Sequence, residues 1–302
     1  MNKVTIIVNK SWEADPVIHA ITSMKIKPAG FPFPVELNIP RPSPLSSMSA
    51  PKQIGYRALF EIRDPKTSDV LLSATIWCIE DLMHADKHGS SSEEKALCLA
   101  ELYEKEKGSD LVIAVGTAGF NDRYTSMNGS VVIGAEFVTF DAIPDNRESE
   151  FKHELLGRYL PSNLPEVLQK NLFAIFKDSF KDIVSSKLLP VPNQPAERCK
   201  VMAASNYVAL SNVNITNYND YAWADEAGLK HYEQLEVRSP VGSIETTHGV
   251  IRICSTIPTI FVSAISDRLG YFASEITPGQ NYVSSFNAGI LLSYLIPELV
   301  NV

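Results

Sequence analysis

Apolar residues follow two patterns along this chain, and the two patterns alternate. Short, largely apolar runs bounded by polar, glycine or proline residues predict strands. These runs cover residues 3–8, 56–62, 69–78, 110–115, 130–139, 200–210 and 259–265. Between several of them, apolar residues recur at three- and four-residue spacing, which predicts helices. Strands that alternate with helices favour an α/β fold with the sheet in the middle.

Local signals indicate where helices begin and end. A helix is expected to follow the first strand, with Pro16 in its first turn, where proline is favoured. A capping-box sequence at residues 91–94 opens a helix that we expect to run to Gly108. A further helix begins near residues 163–166, and the last one, with apolar residues at four-residue spacing, ends before Pro297.

The chain is expected to form one domain over residues 1–302. With 45% hydrophobic and 21% charged residues, it has enough apolar side chains for a core, and no internal repeat divides it. Within this domain, the segment 27–51 differs in composition, and its many prolines and serines exclude regular structure. This segment predicts a long loop or an insertion. It can act as a lid, although a packed surface loop is the more common arrangement.

Composition narrows the class of partner. A net charge of −8 disfavours binding to nucleic acid and to anionic membranes, which are themselves negative, so the expected partner is a small molecule. The first apolar run, residues 4–8, is too short for a signal peptide or a membrane span. The four cysteines are widely scattered, and no histidine, cysteine and carboxylate residues have metal-ligand spacing. We therefore expect a cytoplasmic protein with reduced thiols and no metal.

Polar residues and glycines follow two of the most apolar runs. Ser266 and Asp267 come directly after the run 259–265, and Gly116-Thr117-Ala118-Gly119 follows the run 110–115. Open α/β sheets bind ligands at the carboxyl ends of their strands. Glycines in a turn let the backbone approach a ligand, and exposed N–H groups there bind anions or hydroxyls. Both segments are therefore candidate binding residues.

Two glutamates are expected near these segments. Glu13 lies in the predicted turn between the first strand and the first helix, and Glu245 opens a predicted helix of small residues over 243–249. Each candidate carboxylate also has an ordinary explanation. An aspartate after a strand, such as Asp267, often caps a helix, and a glutamate such as Glu245 is favoured in a first helical turn. Glu13, close to Asp15, can simply be exposed. It is the combination of the two glutamates with Asp267 and the glycine segment that indicates a site. His248, on the same predicted helix as Glu245, is interpreted as a packing residue.

The order of these motifs resembles that of a known superfamily. Glu13, Gly116-Thr117-Ala118-Gly119, Glu245 and Ile265-Ser266-Asp267 occur as in the nucleoside phosphorylases and nucleosidases, especially the methylthioadenosine/S-adenosylhomocysteine nucleosidase branch. This resemblance implies a three-layer α/β/α sandwich with a central mixed sheet. It also implies a homo-oligomer that binds a small-molecule nucleoside or nucleotide and uses neither a metal nor an organic cofactor.

The resemblance further implies a role for each candidate residue. Asp267, oriented by Ser266, would protonate the departing purine, and Glu13 would activate the attacking water. Glu245 would bind the ribose hydroxyls and stabilise the positive charge that develops on the sugar. The segment Gly116-Thr117-Ala118-Gly119 would lie against the substrate. The activity implied is hydrolysis of the N-glycosidic bond of a purine nucleoside or nucleotide.

Departures from the family pattern leave alternatives open. Phosphorylases usually carry an arginine where this chain has Ala114, so hydrolysis is favoured, but a lysine or Arg123 can replace that arginine and make the enzyme a phosphorylase. Arg268, next to the candidate acid, can recognise a substrate phosphate. Tyr218, Tyr221 and Trp223 are candidates to stack on a base or to cover the pocket, and are equally candidates for interface or core aromatic residues. A non-catalytic nucleoside-binding or storage-type relative is a third alternative, against which the three carboxylates argue.

Overall fold

The computed structural model describes most of the chain. The described residues are 1–23, 33–37, 55–83, 92–120, 127–140, 152–192, 199–203, 207–212, 221–269, 271 and 275–302. Arg123, Tyr218, the side chains of Tyr221 and Trp223, and all of the segment 27–51 except residues 33–37 lie outside this description.

Helices and strands alternate through the described residues. The strands are β1 (Lys3–Val8), β2 (Phe33–Leu37), β3 (Ala58–Arg63), β4 (Val70–Cys78), β5 (Leu111–Phe120), β6 (Val131–Gly134), β7 (Glu136–Phe140), β8 (Tyr159–Leu160), β9 (Val201–Ala203), β10 (Val208–Asn212), β11 (Val241–Glu245) and β12 (Thr259–Arg268). The helices are α1 (Ser11–Ser23), α2 (Ile79–Leu82), α3 (Ser92–Lys105), α4 (Glu166–Ile175), α5 (Asp178–Ser185), α6 (Tyr221–Gln234), α7 (His248–Cys254) and α8 (Pro278–Glu298).

All of these strands belong to one mixed sheet. β1 is parallel to β4 on one side and to β5 on the other, and β12 is parallel to β5. β10 is parallel to both β7 and β11, whereas β6 is antiparallel to β12. The strands β2, β3 and β4 pair antiparallel at one end of the sheet. The expected central mixed sheet is therefore confirmed.

The strand β5 changes its neighbour partway along its length. One edge pairs with β12, whereas along the other edge β1 pairs with β5 as far as Val115 and β11 pairs with it only at Gly119. The residues between Val115 and Gly119 are therefore not paired with either β1 or β11. Such a change in strand order is where α/β sheets commonly bind ligands, because backbone groups become available there.

Helices cover both faces of the sheet. Ile6 of β1 packs in a core with side chains of α1 and α8, whereas Ile7 packs in a second core with side chains of α3 and α7. Successive strand residues point to opposite faces, so these two cores lie on opposite sides of β1. The expected three-layer α/β/α arrangement is confirmed. The segment Pro278–Asn301 is apolar and long enough to cross a membrane, but 67% of its apolar window is buried inside the fold, as in a core helix.

Three expectations about the site-bearing segments are wrong. The residues after Val115 do not form a glycine turn, because β5 continues to Phe120 through its pairing with β12. Glu245 ends the strand β11 instead of opening a helix, because Ser211 of β10 pairs with it, and α7 begins only at His248. Glu13 lies inside α1, which starts at Ser11, so Pro16 is beyond the first turn.

Other boundaries also differ from the sequence pattern. Within the segment 27–51, residues 33–37 form β2, which is possible because Pro34 lies on the outermost strand beside a register shift, where its missing N–H is tolerated. The runs 130–139 and 200–210 each contain two strands. α3 ends at Lys105, before the predicted limit, and α8 continues one residue past Pro297.

Candidate functional site

The carboxylate of Glu13 is bound where β5 changes its neighbour. Glu13 Oε1 accepts hydrogen bonds from the backbone N–H of Thr117 at 2.7 Å and from its hydroxyl at 2.8 Å. Its other oxygen accepts the backbone N–H of Lys10 at 3.1 Å. The side chain is only 4% exposed. Burial raises the pKa of Glu13 to about 7, and the negative charge of Glu245 adds to this rise, although the Thr117 and Lys10 hydrogen bonds oppose it.

The start of α1, which carries Glu13, is fixed by Glu80 and Asp81 of α2 and by Arg57, which directly precedes β3. The Ser11 backbone N–H and hydroxyl both donate to Glu80, at 2.9 and 2.5 Å. The buried guanidinium of Arg57 donates twice to Asp81, at 2.5 and 2.8 Å, and once to Asp15 of α1 at 2.5 Å. Through these hydrogen bonds, Arg57 links α1 to α2 and to the start of β3.

The carboxylate of Glu245 lies at the carboxyl end of β11. Its two oxygens accept the backbone N–H groups of Thr247 and His248, the latter at 2.5 Å. These N–H groups belong to the start of α7 and have no partner inside the helix, so Glu245 satisfies them. Burial raises the pKa of Glu245 to about 7, whereas these hydrogen bonds and the positive charge of Lys95 lower it.

Asp267 lies near the end of β12, on the opposite edge of β5. It pairs with Gly119 next to a register shift that follows Ile265, and the Ser266 hydroxyl donates to Asp267 Oδ1 at 2.7 Å. Burial raises the pKa of Asp267 to about 7, and the negative charge of Glu275 contributes to this rise. The helix α8 supports this irregular part of β12, because the Gln280 amide donates to the Ser266 carbonyl at 2.8 Å.

The guanidinium of Arg268 is bound by another side chain of the protein. Its Nε donates to Glu275 at 2.5 Å, and its planar group stacks 3.8 Å from the ring centre of Tyr271. Glu275 also accepts the Arg268 backbone N–H at 2.9 Å and the Asn128 amide at 3.0 Å. Recognition of a substrate phosphate by Arg268 would require this ion pair to open.

The expected glycine segment lies beside two of the candidate carboxylates. A methyl group placed on Gly116 would lie 3.3 Å from both Glu13 Oε1 and His248 Nε2. One placed on Gly119 would lie 3.6 Å from Asp267 Oδ2. Gly116, Thr117, Ala118 and Gly119 therefore lie between Glu13 on one side and Asp267 on the other. The glycines permit this close approach in extended backbone and not through a turn.

Two residues that were not selected from the sequence lie beside Glu245 and the loop that follows it. His248 is buried, with its Nδ1 3.3 Å from the Ser263 hydroxyl and 3.7 Å from Glu245 Oε1, and burial lowers its pKa to about 3. The ring is therefore neutral at physiological pH. Lys95 of α3 is also buried, and its Nζ donates to groups on the loop that follows Glu245. In the sequence, Lys95 looks like an ordinary charged residue in the first turn of a helix.

A cavity of about 500 Å³ lies next to these strands, within the size range of small-molecule pockets. Its walls include Gly119, the neighbour of Asp267, and Ser243, two residues before Glu245. Most of the lining is apolar or aromatic and includes Phe120, Met127, Tyr207, Leu229, Tyr232 and Leu269. Within the described ranges, no group of three histidine, cysteine or carboxylate side chains has the arrangement of a metal site.

Comparison with known proteins gives matches at the level of structure. No family model and no curated protein sequence matches the chain. The 5'-methylthioadenosine nucleosidase of Arabidopsis thaliana matches with a TM-score of 0.54 and 13% identity, over 100% of this chain and 96% of that one. The 5'-methylthioadenosine/S-adenosylhomocysteine nucleosidase of Neisseria meningitidis, in complex with methylthio-immucillin-A, matches with a TM-score of 0.52 and 12% identity, over 98% and 99%.

The 5'-methylthioadenosine/S-adenosylhomocysteine nucleosidase of Campylobacter jejuni matches with a TM-score of 0.52 and 13% identity, over 100% of both chains. Identities this low show the fold alone. The mixed sheet, the helices on both of its faces and these full-length matches agree with the resemblance noted in the sequence. The chain therefore has the fold of the nucleoside phosphorylase and nucleosidase superfamily, as found in the methylthioadenosine/S-adenosylhomocysteine nucleosidases.

Proposed function

We propose that this protein hydrolyses the N-glycosidic bond of a purine nucleoside. The observation that carries the proposal is the pair of buried carboxyl groups, Glu13 and Asp267, held on opposite sides of the end of β5. Thr117, which binds Glu13, and Gly119, which pairs with Asp267, are two residues apart, roughly 7 Å along a strand. One bound nucleoside, with its sugar toward Glu13 and its base toward Asp267, can therefore span the two groups. Each group has a pKa of about 7, so each can gain or lose a proton near neutral pH.

The two carboxyl groups take complementary roles in this reaction. Asp267, in its protonated form, donates its proton to the purine ring as the bond between the base and the sugar breaks and the bonding electrons leave with the base. Ser266 holds the Asp267 carboxyl in orientation. Glu13, in its ionised form, accepts a proton from the water molecule whose oxygen bonds to the sugar carbon. The products are the free base and the free sugar.

Glu245 is placed to act on the sugar. Its carboxylate is held by the backbone N–H groups of Thr247 and His248, so its position is fixed before substrate binds. A fixed negative charge stabilises the oxocarbenium-like sugar of the transition state without reorganisation. The structural match to a nucleosidase in complex with methylthio-immucillin-A makes 5'-methylthioadenosine the first substrate to test.

The proposal implies a bell-shaped dependence of kcat/KM on pH. Glu13 must be ionised to act as a base, so activity falls as the pH drops below about 7. Asp267 must be protonated to act as an acid, so activity also falls as the pH rises above about 7. The expected optimum is therefore narrow and lies near pH 7.

The experiment that tests the proposed hydrolysis measures release of free base from a panel of purine and pyrimidine nucleosides and 5'-substituted derivatives, with and without phosphate. Wild type is compared with Asp267→Asn and with Asp182→Asn, which changes an exposed carboxylate on α5. Release that does not need phosphate, is lost in Asp267→Asn and is kept in Asp182→Asn supports the proposal.

Two other outcomes of this experiment contradict the proposed function. Strict dependence on phosphate would make the protein a phosphorylase. Tight binding of a nucleoside without release of base would make it a binding protein that keeps the fold.

A further inference from the structure

Lys95 is a buried cation beside the candidate site. It lies in the first turn of α3 with only 2% of its surface exposed. Its Nζ donates to the Thr246 carbonyl at 3.2 Å and to the Thr247 hydroxyl at 3.1 Å. A buried ammonium group is costly unless hydrogen bonds and opposite charge compensate for lost hydration. Two neutral oxygens do not supply that opposite charge.

The compensating charge comes from the carboxylates of the site. Glu245 lies on the same short loop, with its carboxylate bound to the Thr247 backbone N–H. Electrostatic attraction links Lys95 to Glu245 and, more weakly, to Glu13, while Lys10 repels it. His248 of α7, whose Nδ1 lies 3.7 Å from Glu245 Oε1, is neutral. We call Glu13, Glu245 and Lys95 the charge cluster.

Without Lys95, the charge cluster would hold two like charges in a buried space. Glu245 raises the pKa of Glu13 by repulsion, and burial raises the pKa of both to about 7. Lys95 is the cation that lowers the pKa of Glu245. Its own pKa is lowered to about 8 by burial, so the ammonium form still predominates at pH 7. When both carboxylates are ionised, the ammonium leaves the cluster with a single net negative charge.

We propose that Lys95 is a positioning residue that keeps Glu245 ionised in the buried site, and so allows Glu13 and Glu245 to carry negative charge together. The electrostatic part of this inference stands on the burial of Lys95 and on Thr247, whose hydroxyl accepts from Lys95 Nζ and whose backbone N–H donates to the Glu245 carboxylate. Its consequence for catalysis rests on the proposed function, in which the base and the sugar-binding carboxylate must both be ionised.

The first test is the pH profile of kcat/KM with 5'-methylthioadenosine in the Lys95→Met variant. Losing a neighbouring opposite charge raises a carboxyl pKa by about one unit or more. The acid limb of the profile, where activity falls as the pH drops, should therefore move about one pH unit upward. This lowers kcat/KM about tenfold at pH 6 and leaves it nearly unchanged at pH 9. The matched control is Lys107→Met, which removes an exposed lysine that follows α3. An acid limb that coincides with that of wild type would overturn the inference.

Two further variants at position 95 separate charge from packing and hydrogen bonding. Lys95→Gln keeps a donor for the Thr246 carbonyl but carries no charge, so its acid limb should move as in Lys95→Met. Lys95→Arg keeps the charge and should restore the wild-type limb. A Gln variant that behaves like wild type would show that the hydrogen bond, and not the charge, is what matters, and would overturn the inference.

A second test does not depend on enzyme activity. The free energy of unfolding is measured for wild type, Lys95→Gln, Glu245→Gln and the double variant at pH 5 and pH 8. The two substitutions should be non-additive at pH 8, where Glu245 is ionised, and nearly additive at pH 5, where it is protonated. The control pair is Lys107 and Glu104, an exposed ion pair beside α3, which should show almost no coupling at either pH.

The two tests distinguish the inference from the proposed function. If wild type releases no base from any nucleoside but the coupling at pH 8 is present, the proposed function fails and Lys95 still keeps Glu245 ionised. If wild type hydrolyses a nucleoside but the substitutions at Lys95 and Glu245 are additive at pH 8, the inference about Lys95 fails and the proposed function stands.

Discussion

Replacing Asp267 by asparagine tests the candidate acid by stability as well as by activity. The asparagine keeps the shape of the side chain but cannot ionise. Asp267 is 6% exposed, and burial raises its pKa from 3.8 to about 7. At about 1.36 kcal/mol per pH unit, this rise of about three units corresponds to about 4 kcal/mol.

The sign of the effect follows from the direction of the pKa change. The folded protein binds this proton more tightly than the unfolded chain, so protonated Asp267 contributes stability below pH 3.8, the ordinary pKa, and loses it as the pH rises to about 7. Above that pH, ionised Asp267 costs about 4 kcal/mol of folding free energy, whereas asparagine at this position has no such cost.

The assay is urea unfolding of wild type, Asp267→Asn and the control Asp182→Asn at several pH values between 4 and 9. The stability of Asp267→Asn relative to wild type should increase by up to about 4 kcal/mol across this range. Asp182→Asn should follow wild type throughout. In the activity assay, Asp267→Asn should lower kcat/KM by about 10²–10⁴-fold, the usual contribution of a general acid. A stability difference that does not change with pH would refute the reasoning, because Asp267 would then titrate like an exposed aspartate.

Three further substitutions follow from the same contacts. Glu13→Gln keeps the acceptor for the Thr117 N–H but removes the base, so kcat should fall by about 10²–10⁴-fold with little change in KM, measured by steady-state kinetics. Gly116→Ala places a methyl group against Glu13, so kcat should fall by about tenfold or more while the unfolding midpoint changes little; unchanged kcat would contradict the close approach seen at Gly116. Arg57→Met leaves Asp81 buried without a partner and should cost about 3–5 kcal/mol in urea unfolding, whereas the exposed control Arg63→Met should cost less than about 1 kcal/mol.

The parts of the fold that depend on local patterns could be predicted from the sequence. The apolar runs that became β1, β5, β12 and the second half of β4 are buried on both faces of the sheet, so their pattern is strong. The order of helices and strands, together with the resemblance, gave the three-layer fold. The helix α6 could not be predicted, because its apolar residues are interrupted by polar ones and its pattern is weak.

The site was harder to predict because its geometry depends on pairing between distant strands. Glu245 looks like the start of a helix from its neighbours alone, but its pairing with β10 holds it in a strand. Gly116 looks like a turn residue, but β12 keeps it extended. Lys95 gives no local signal, because its role depends on a loop that is 151 residues away along the chain.

The position of the carboxylates along the chain has a consequence for folding. Glu13 is close to the N-terminus and Asp267 is close to the C-terminus, yet both are held against the same end of β5. Contacts between residues so far apart in sequence close large loops and form slowly. A refolding chain can therefore complete this site only after β12 has paired with β5 and α1 has docked. Recovery of activity during refolding should consequently trail the recovery of helical circular dichroism, and a chain that stops short of β12 should assemble no site at all.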